Sequence, residues 1–130
     1  MRVLIAEDNQ SIVNGYKRIF PAFNIEIIDI AVDGLEAVEK YHKHANRIDL
    51  VLCDNSMPRM SGLEASRRIL SLDRNAVIVI VSSDSLDEDS CLKSGVRAVI
   101  KKPFSFEELV HQLFFALTNA VETKTDHRPW

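Results

Sequence analysis

The chain has 130 residues, 46% of them hydrophobic and 27% charged, which fits one globular domain rather than a disordered segment. Its formal net charge of -3 excludes the basic surface needed to bind nucleic acid or an anionic membrane. The first apolar run, Val3 to Ala6, reaches Glu7 and Asp8 too soon for a signal peptide or membrane span. The apolar setting of Cys53 favours a buried free thiol over a disulfide with Cys91. We therefore expect a soluble, cytoplasmic protein.

Short apolar runs predict five strands of a parallel sheet. Four of them are rich in Val, Ile, Leu and Ala without strict alternation, which is typical of strands covered on both faces. The other run is interrupted by Glu26 and Asp29 and suits a sheet edge. In chain order the runs are Val3 to Ala6, Ile25 to Ala31 (the interrupted run), Leu50 to Cys53, Val77 to Val81 and Val96 to Ile100.

Segments with helical spacing separate these strands. In the last segment the apolar residues recur every three or four positions on one face, after a capping box that begins at Ser105. The same start signal occurs at Ser61 and, in looser form, at Asp33. Gly95 marks the expected end of a helix that begins near Leu86. The apolar face of the last helix is predicted to contain Phe106, Leu109, Val110, Leu113, Phe114, Leu117 and Val121.

Strand and helix alternate five times with short connections. This order predicts a three-layer, doubly wound α/β domain with a five-stranded parallel sheet and right-handed crossovers. The helical pattern stops after about Glu122. We therefore predict one domain over residues 1–122 and a polar C-terminal tail over residues 123–130.

Acids, hydroxyls and amines follow the C-terminal ends of the predicted strands, where open parallel sheets bind ligands. They are Glu7, Asp8, Asp54, Ser82, Ser83, Lys101 and Lys102. Each has an ordinary explanation by itself, such as a helix cap or a solvated lysine, but all occupy the same end of separate strands. Three carboxylates about 4 Å apart would repel by ~4 kcal/mol per pair at an effective dielectric of about 20. We therefore expect a cation at this edge of the sheet.

Mg²⁺ suits such a site, because it prefers oxygen ligands and one or two carboxylates with water in the remaining positions. Three carboxylates, one Mg²⁺ and one lysine together carry no net charge. A neutral site of this kind can receive a phosphoryl group on a carboxylate, since the metal and the ammonium group offset the incoming negative charge.

These residues resemble bacterial response-regulator receiver domains of the chemotaxis type, along roughly Arg2 to Ala120. The matching motifs are Glu7-Asp8, Asp54 with Met57-Pro58-x-Met60-x-Gly62, Ser82 after a Val/Ile run, and Lys102-Pro103-Phe104. The resemblance implies a flavodoxin-like receiver fold with strand order 2-1-3-4-5. It also implies a signalling phosphoacceptor of a two-component or phosphorelay system, rather than an enzyme, that switches its contact with a downstream partner.

The resemblance implies a Mg²⁺ site and its ligands. Asp54 would be the phosphoacceptor and a metal ligand, Asp8 a direct ligand and Glu7 a ligand through water. The backbone carbonyl of Ser56 would complete the protein ligands. The phosphoryl donor would be a sensor histidine kinase, a histidine phosphotransfer protein or a small-molecule phosphodonor, and the downstream partner would be a separate protein or an effector domain.

The resemblance also implies how the phosphoryl group is held. Lys102 would pair with the acceptor carboxylate and then with the phosphoryl oxygens, and Ser82 would hydrogen-bond the phosphoryl group. Lys102 is favoured over Lys101 because the family's lysine directly precedes proline and adjacent strand side chains point to opposite faces. A cis Lys102-Pro103 bond is expected. Two departures from the family are Val99, where an aromatic residue is common, and a stretch from Ser82 to Lys102 about two residues shorter than usual.

Three other readings of the residues compete with this one. A small α/β phosphatase with Asp54 as nucleophile would need a carboxylate two residues later, where Ser56 stands. A degenerate receiver that only binds other proteins is disfavoured by the intact acceptor set. A metal site built from histidines lacks the required spacing. The histidines, which are His42, His44, His111 and His127, are therefore predicted to lie on the surface.

Overall fold

The computed structural model describes residues 1–83 and 88–125, with side chains as far as Thr118 in the last helix. Over these ranges the chain forms one parallel sheet of five strands in the order β2-β1-β3-β4-β5. The strands are β1 (Arg2–Ala6), β2 (Glu26–Ala31), β3 (Leu50–Asp54), β4 (Ile78–Ser82) and β5 (Ala98–Lys101). The predicted α/β class and strand order are confirmed.

Helices connect the strands, in the predicted alternating order. They are α1 (Gln10–Ile19), α2 (Gly34–His44), α3 (Gly62–Leu72), α4 (Glu88–Lys93) and α5 (Phe106–Thr125), with short 3-10 turns at Phe20–Phe23 and Ala45–Arg47. No helix in the described ranges is long and apolar enough to cross a membrane. Since α5 continues to Thr125, residues 123–125 of the expected tail are helical, and residues 126–130 lie outside the described ranges.

Two apolar cores lie on opposite faces of the sheet, because successive side chains of a strand point to opposite faces. In β1, Val3 and Ile5 pack with α1 and α5, whereas Leu4 and Ala6 pack with α2 and α3. Every residue of β3 and β4 is buried. The continuous apolar runs in the sequence therefore correspond to central strands covered on both faces.

Side-chain caps begin the helices where the sequence predicts them. The Ser105 hydroxyl accepts a hydrogen bond from the Glu108 amide at 3.1 Å, and the Glu108 carboxylate accepts one from the Ser105 amide at 3.4 Å. This is the reciprocal capping box expected at α5. Ser61 Oγ caps α3, and the Asp33 carboxylate caps α2 by accepting from the Glu36 amide at 2.8 Å. These caps orient each helix where it leaves the functional edge of the sheet.

Two details of the predicted elements are wrong. The fifth strand begins at Ala98 rather than Val96 and is only partly buried, because it forms the second edge of the sheet and has one neighbouring strand. Phe106 and Phe114, both predicted for the apolar face of α5, are 36% and 41% exposed, and Ala116 packs in the core instead. The side chain of Val121 lies outside the described ones. The predicted start of the fourth helix at Leu86 falls in residues 84–87, outside the described ranges. Its predicted end is confirmed by Gly95, which has a φ of 107°.

The surface prediction for the histidines is confirmed for His42 and His111 and wrong for His44. The His44 side chain is 14% exposed, and its Nε2 atom lies 3.0 Å from the Asp29 carboxylate on β2. Lys40 also pairs with Asp29 at 3.2 Å. These contacts fasten α2 to the edge strand. His127 lies outside the described ranges.

Candidate functional site

The sheet brings the sequence-predicted residues to the C-terminal ends of four neighbouring strands or strand extensions. Backbone hydrogen bonds continue past the strands: the Glu7 amide donates to Ala31 at 2.9 Å, and the Lys102 amide donates to the Ser82 carbonyl at 2.9 Å. Asp54 ends β3, which lies between β1 and β4. Side chains separated by many residues in the chain therefore meet at one edge of the sheet.

Three carboxyl groups meet at this edge and form what we call the acidic cluster: Glu7, Asp8 and Asp54. One oxygen from each lies within 4.8 Å of the other two. Glu7 is 2% and Asp54 5% exposed, whereas Asp8 is open to solvent. Oxygen donors that are concentrated in this way, with one open side, fit a hard divalent cation such as Mg²⁺.

The side chain of Lys102 is the cationic partner of the cluster. Its Nζ atom lies 3.1 Å from Asp54 Oδ1, while Lys101 is exposed. The alternation of side chains in an extended strand explains why only one of the two lysines reaches the carboxylate. The Lys102-Pro103 peptide bond is cis, as expected.

The remaining predicted residues also lie at this edge. Ser82 is 1% exposed at the end of β4, paired through the backbone with Lys102, and Ser56 is exposed in the turn after Asp54. That turn is held by Asn55, whose backbone carbonyl accepts from the Gly62 amide at 3.0 Å and whose side chain accepts from the Leu63 amide at 3.1 Å. The turn is therefore anchored to the start of α3.

Burial dominates the electrostatics of the cluster. It raises the pKa of Glu7 to about 7, opposed by the Asn9 amide, which donates to Glu7 Oε2 at 3.1 Å. Burial also raises the pKa of Asp54, and the hydrogen bond and charge of Lys102 oppose this rise. The pKa of the neighbouring Cys53 thiol rises to about 12 on burial, so it is protonated at neutral pH. Without a metal ion, ionising the cluster is therefore unfavourable.

Glu7→Gln should stabilise the metal-free protein at high pH. The pKa of Glu7 is about 7 in the folded protein, against 4.5 for an unperturbed group. The carboxyl group therefore stays protonated to a higher pH in the folded protein than in the unfolded chain. The free energy of unfolding therefore falls as the pH rises from about 4.5 to 7, by about 3 kcal/mol in total. With a chelator present, chemical denaturation at pH 8 should show most of this difference in favour of Glu7→Gln.

The same comparison at pH 4.5 provides the control, because the native Glu7 is then protonated and resembles glutamine in charge. The gain in unfolding free energy should therefore disappear at low pH. An equal gain at both pH values would mean that packing, rather than ionisation, distinguishes the two side chains.

The structure adds two features that the motifs did not indicate. Arg59, in the turn after Asp54, has a left-handed φ of 67° and lies 3.3 Å from the buried Asp33 carboxylate at the start of α2. Tyr16 of α1 is 2% exposed and packs in the core with Val3 and Ile5 of β1. A tyrosine among apolar helix positions is predicted to pack in the core, so the sequence pattern indicated no other role for it.

Comparisons with known proteins agree with this geometry. Residues 3–114 match the family described as the response regulator receiver domain. The chain is similar to the chemotaxis protein CheY of Treponema pallidum, with 33% identity, covering 86% of this chain and 79% of that protein. It is also similar to the response regulator MprA of Mycobacterium leprae, with 32% identity over 87% of this chain. The chain spans about half the length, 49%, of that regulator.

Two solved structures share the fold. One is CheY in a CheX-CheY-BeF₃-Mg²⁺ complex from Borrelia burgdorferi, with a TM-score of 0.84, 33% identity, and coverage of 88% of this chain and 87% of that one. The other is the receiver domain of the sensor histidine kinase PA1611 from Pseudomonas aeruginosa PAO1, which has a magnesium ion in its active site cleft. Its TM-score is 0.78 at 25% identity, covering 90% of this chain and 97% of that one. The family match is supported by the strand order and the acidic cluster, and the chain belongs to the response regulator receiver domain family of two-component systems.

Proposed function

We propose that this chain is a Mg²⁺-dependent phosphoacceptor whose Asp54 receives a phosphoryl group from a phosphohistidine or a small-molecule phosphodonor. The observation that carries the proposal is the buried Asp54 carboxylate, which has an oxygen within 4.8 Å of both other acids of the cluster and lies 3.1 Å from the Lys102 ammonium group. A nucleophilic carboxylate needs cations on both sides to approach a phosphate, because both reactants are negative.

In the proposed reaction a carboxylate oxygen of Asp54 attacks phosphorus and forms an acyl phosphate. The bond from phosphorus to the donor breaks, and the leaving group keeps the electron pair; a phosphohistidine donor regains a neutral imidazole after taking up a proton. Asp54 is suited to this role because its side chain pairs with Lys102 at 3.1 Å and its backbone leads into a turn anchored to α3. Such positioning is the main contribution of a protein to phosphoryl transfer.

Lys102 and Ser82 then hold the product. Lys102 already contacts Oδ1 of Asp54 and can follow the charge onto the phosphoryl oxygens. Ser82 ends the neighbouring strand and is linked to Lys102 through the backbone, so its hydroxyl can reach the same oxygens after a small movement. Glu7, Asp8, Asp54 and the backbone carbonyl of Ser56 would hold Mg²⁺, which when bound offsets negative charge on the transferring group.

The chain is proposed to act in the cytoplasm, with a sensor histidine kinase or histidine phosphotransfer protein as donor and a downstream protein or effector domain as receiver of the signal. The acyl phosphate would add negative charge and acceptor oxygens at Asp54, beside the turn after β3 and the end of β4. Residues 1–122 are proposed as the phosphorylated domain. The acidic overall charge gives this segment no role in direct nucleic-acid binding.

Phosphorylation by acetyl phosphate tests the proposal directly. In the presence of Mg²⁺, intact-mass spectrometry should show one phosphoryl adduct on the protein, and a chelator should prevent it. Neutral hydroxylamine should remove the adduct, because it attacks the acyl carbon of an aspartyl phosphate and leaves serine phosphate esters intact. A folded chain that takes up no phosphoryl group, or takes it up equally with chelator, would overturn the proposal.

A further inference from the structure

Arg59 has a backbone conformation that arginine does not favour. It lies in the turn after β3 with a φ of 67°. A residue with a Cβ atom is strained in this left-handed region, where glycine and asparagine are more common. Strained residues persist where the surrounding contacts fix them, and they occur often at functional sites. The contacts of Arg59 therefore indicate what the strain maintains.

The contact that holds Arg59 is an ion pair with Asp33. One guanidinium nitrogen of Arg59 donates a hydrogen bond to Asp33 Oδ2 at 3.3 Å. The Asp33 side chain is 6% exposed and the Arg59 side chain 62% exposed, so a fixed carboxylate holds a surface arginine. Asp33 Oδ1 accepts from the Glu36 amide at 2.8 Å, as the N-cap of α2. The carboxylate therefore links the cap of α2 to the turn after β3.

Close backbone packing joins the same two segments. A Cβ atom at Gly34, the first residue of α2, would overlap the carbonyl oxygen of Met60 and lie 2.6 Å from Met60 Cβ. Met60 is 9% exposed and packs in the core formed with α2 and α3. Its amide donates to the Pro58 carbonyl at 2.7 Å, so the residues on both sides of Arg59 are also tied together. The turn is therefore fitted closely against the start of α2.

The strand order places this ion pair at the edge of the sheet that carries the acidic cluster. β1 lies between β2 and β3. Asp33 follows the end of β2, and Arg59 follows the end of β3. The ion pair therefore joins the segments on either side of the end of β1, where Glu7 and Asp8 lie.

The turn that contains Ser56 is thus held at two points. The Gly62 amide donates to the Asn55 carbonyl at 3.0 Å, which fixes the beginning of the turn to the start of α3. The ion pair fixes the later part of the turn to the start of α2. Ser56, whose backbone carbonyl is a proposed Mg²⁺ ligand, lies between these two anchors. A ligand on a segment that is already ordered loses less conformational entropy when the ion binds.

We infer that Arg59 is a positioning residue of the Mg²⁺ site: through its ion pair with Asp33, it holds the turn after β3 with the Ser56 carbonyl in place before the ion binds. This inference rests on the proposed function. Arg59 is assigned no contact with the ion or with the phosphoryl group. Its contribution is geometric, because metal ligands that other residues hold in position bind an ion more tightly than mobile ones.

Arg59→Met keeps most of the aliphatic side chain and removes the charge. Calorimetric titration should show Mg²⁺ binding weakened about threefold to fivefold, the size expected for one partly exposed ion pair. Arg59→Lys keeps the charge and should recover part of the affinity. Arg68→Met is the matched control, because Arg68 is 56% exposed and pairs with Glu64 at 3.5 Å within α3. Its Mg²⁺ affinity should equal that of the unaltered chain.

Asp33→Asn tests whether Arg59 acts through Asp33. Asparagine is also a good N-cap, so α2 keeps its cap while the negative charge is lost. Asp33→Asn and Arg59→Met should each weaken Mg²⁺ binding by a similar factor. The double variant should bind no more weakly than either single variant, because each change removes the same ion pair. Effects that multiply in the double variant would mean that the two residues act independently, which would overturn the inference.

Phosphorylation by acetyl phosphate separates positioning of the ion from contact with the phosphoryl group. At low Mg²⁺ concentration Arg59→Met should be labelled more slowly than the unaltered chain, and at saturating Mg²⁺ the two rates should be equal. Slower labelling at saturating Mg²⁺, or unchanged Mg²⁺ affinity in Arg59→Met, would overturn the inference alone. A folded, unaltered chain that binds no Mg²⁺ would overturn the proposed function as well.

Discussion

Asp54→Asn should abolish phosphorylation by a small-molecule donor in Mg²⁺. The amide has nearly the shape of the carboxylate but lacks its charge and nucleophilicity, so it cannot form an acyl phosphate. It also removes the charged partner of Lys102, which lies 3.1 Å from Asp54 Oδ1. Intact-mass spectrometry should therefore show the unmodified mass alone, at donor concentrations that fully label the unaltered chain.

Loss of the adduct must reflect the lost nucleophile rather than lost structure. Asp54 is a buried carboxylate whose pKa burial raises, so the neutral amide should unfold at the same or a higher temperature than the metal-free original. Asp49→Asn is the matched control, because Asp49 pairs with Arg2 near the other end of the same strand. An adduct that persists in Asp54→Asn would place the acceptor elsewhere.

Gly62→Ala should destabilise the protein by about 3 kcal/mol or more, because the added methyl group overlaps backbone rather than a mobile side chain. A Cβ atom at Gly62 would overlap the carbonyl oxygen of Asp54 and lie 2.9 Å from Cα of Asn55. Neither atom can retreat without moving the end of β3. Denaturant titration should show the loss of stability, and the folded fraction should also bind Mg²⁺ more weakly because the acceptor is displaced.

Gly15→Ala provides the contrast for this experiment. The Cβ atom there would meet the tip of the Phe106 ring, a partly exposed side chain that can shift. Replacing glycine inside a helix with alanine also favours the helix by about 1 kcal/mol. The change in stability should therefore be small at Gly15. If Gly15→Ala lowered stability as much as Gly62→Ala, the close backbone contacts of the turn after β3 would not explain the effect at Gly62.

Much of the fold was predictable from the sequence because its signals are local. Continuous apolar runs indicated that β3 and β4 are covered on both faces, as the structure confirms. Ser61 and Ser105 marked the starts of α3 and α5, where their side chains cap the helices. The position of the acidic residues at strand ends also followed, since parallel strands present the same ends at one edge. The spacing of hydrophobic residues and the capping of helices depend on a few neighbouring residues, so both can be predicted from the sequence.

Burial at the sheet edges was less predictable, because it depends on which elements are neighbours. The run at β5 has the composition of a central strand, but its position at the edge leaves it partly exposed. Phe114 fits the helical period, but the contact face of α5 is narrower than the apolar face, so its ring is 41% exposed. His44 lies within a polar stretch and is nevertheless only 14% exposed against Asp29.

The sequence by itself determined the α/β class, the strand-end chemistry and the acidic residues, since each depends on residue type and local spacing. Only the tertiary structure decided that Arg59 pairs with Asp33 at 3.3 Å and that His44 lies 3.0 Å from Asp29. These contacts join residues on different strands and helices. The distance between such atoms is set by how the elements pack, a property that no local pattern of the chain contains.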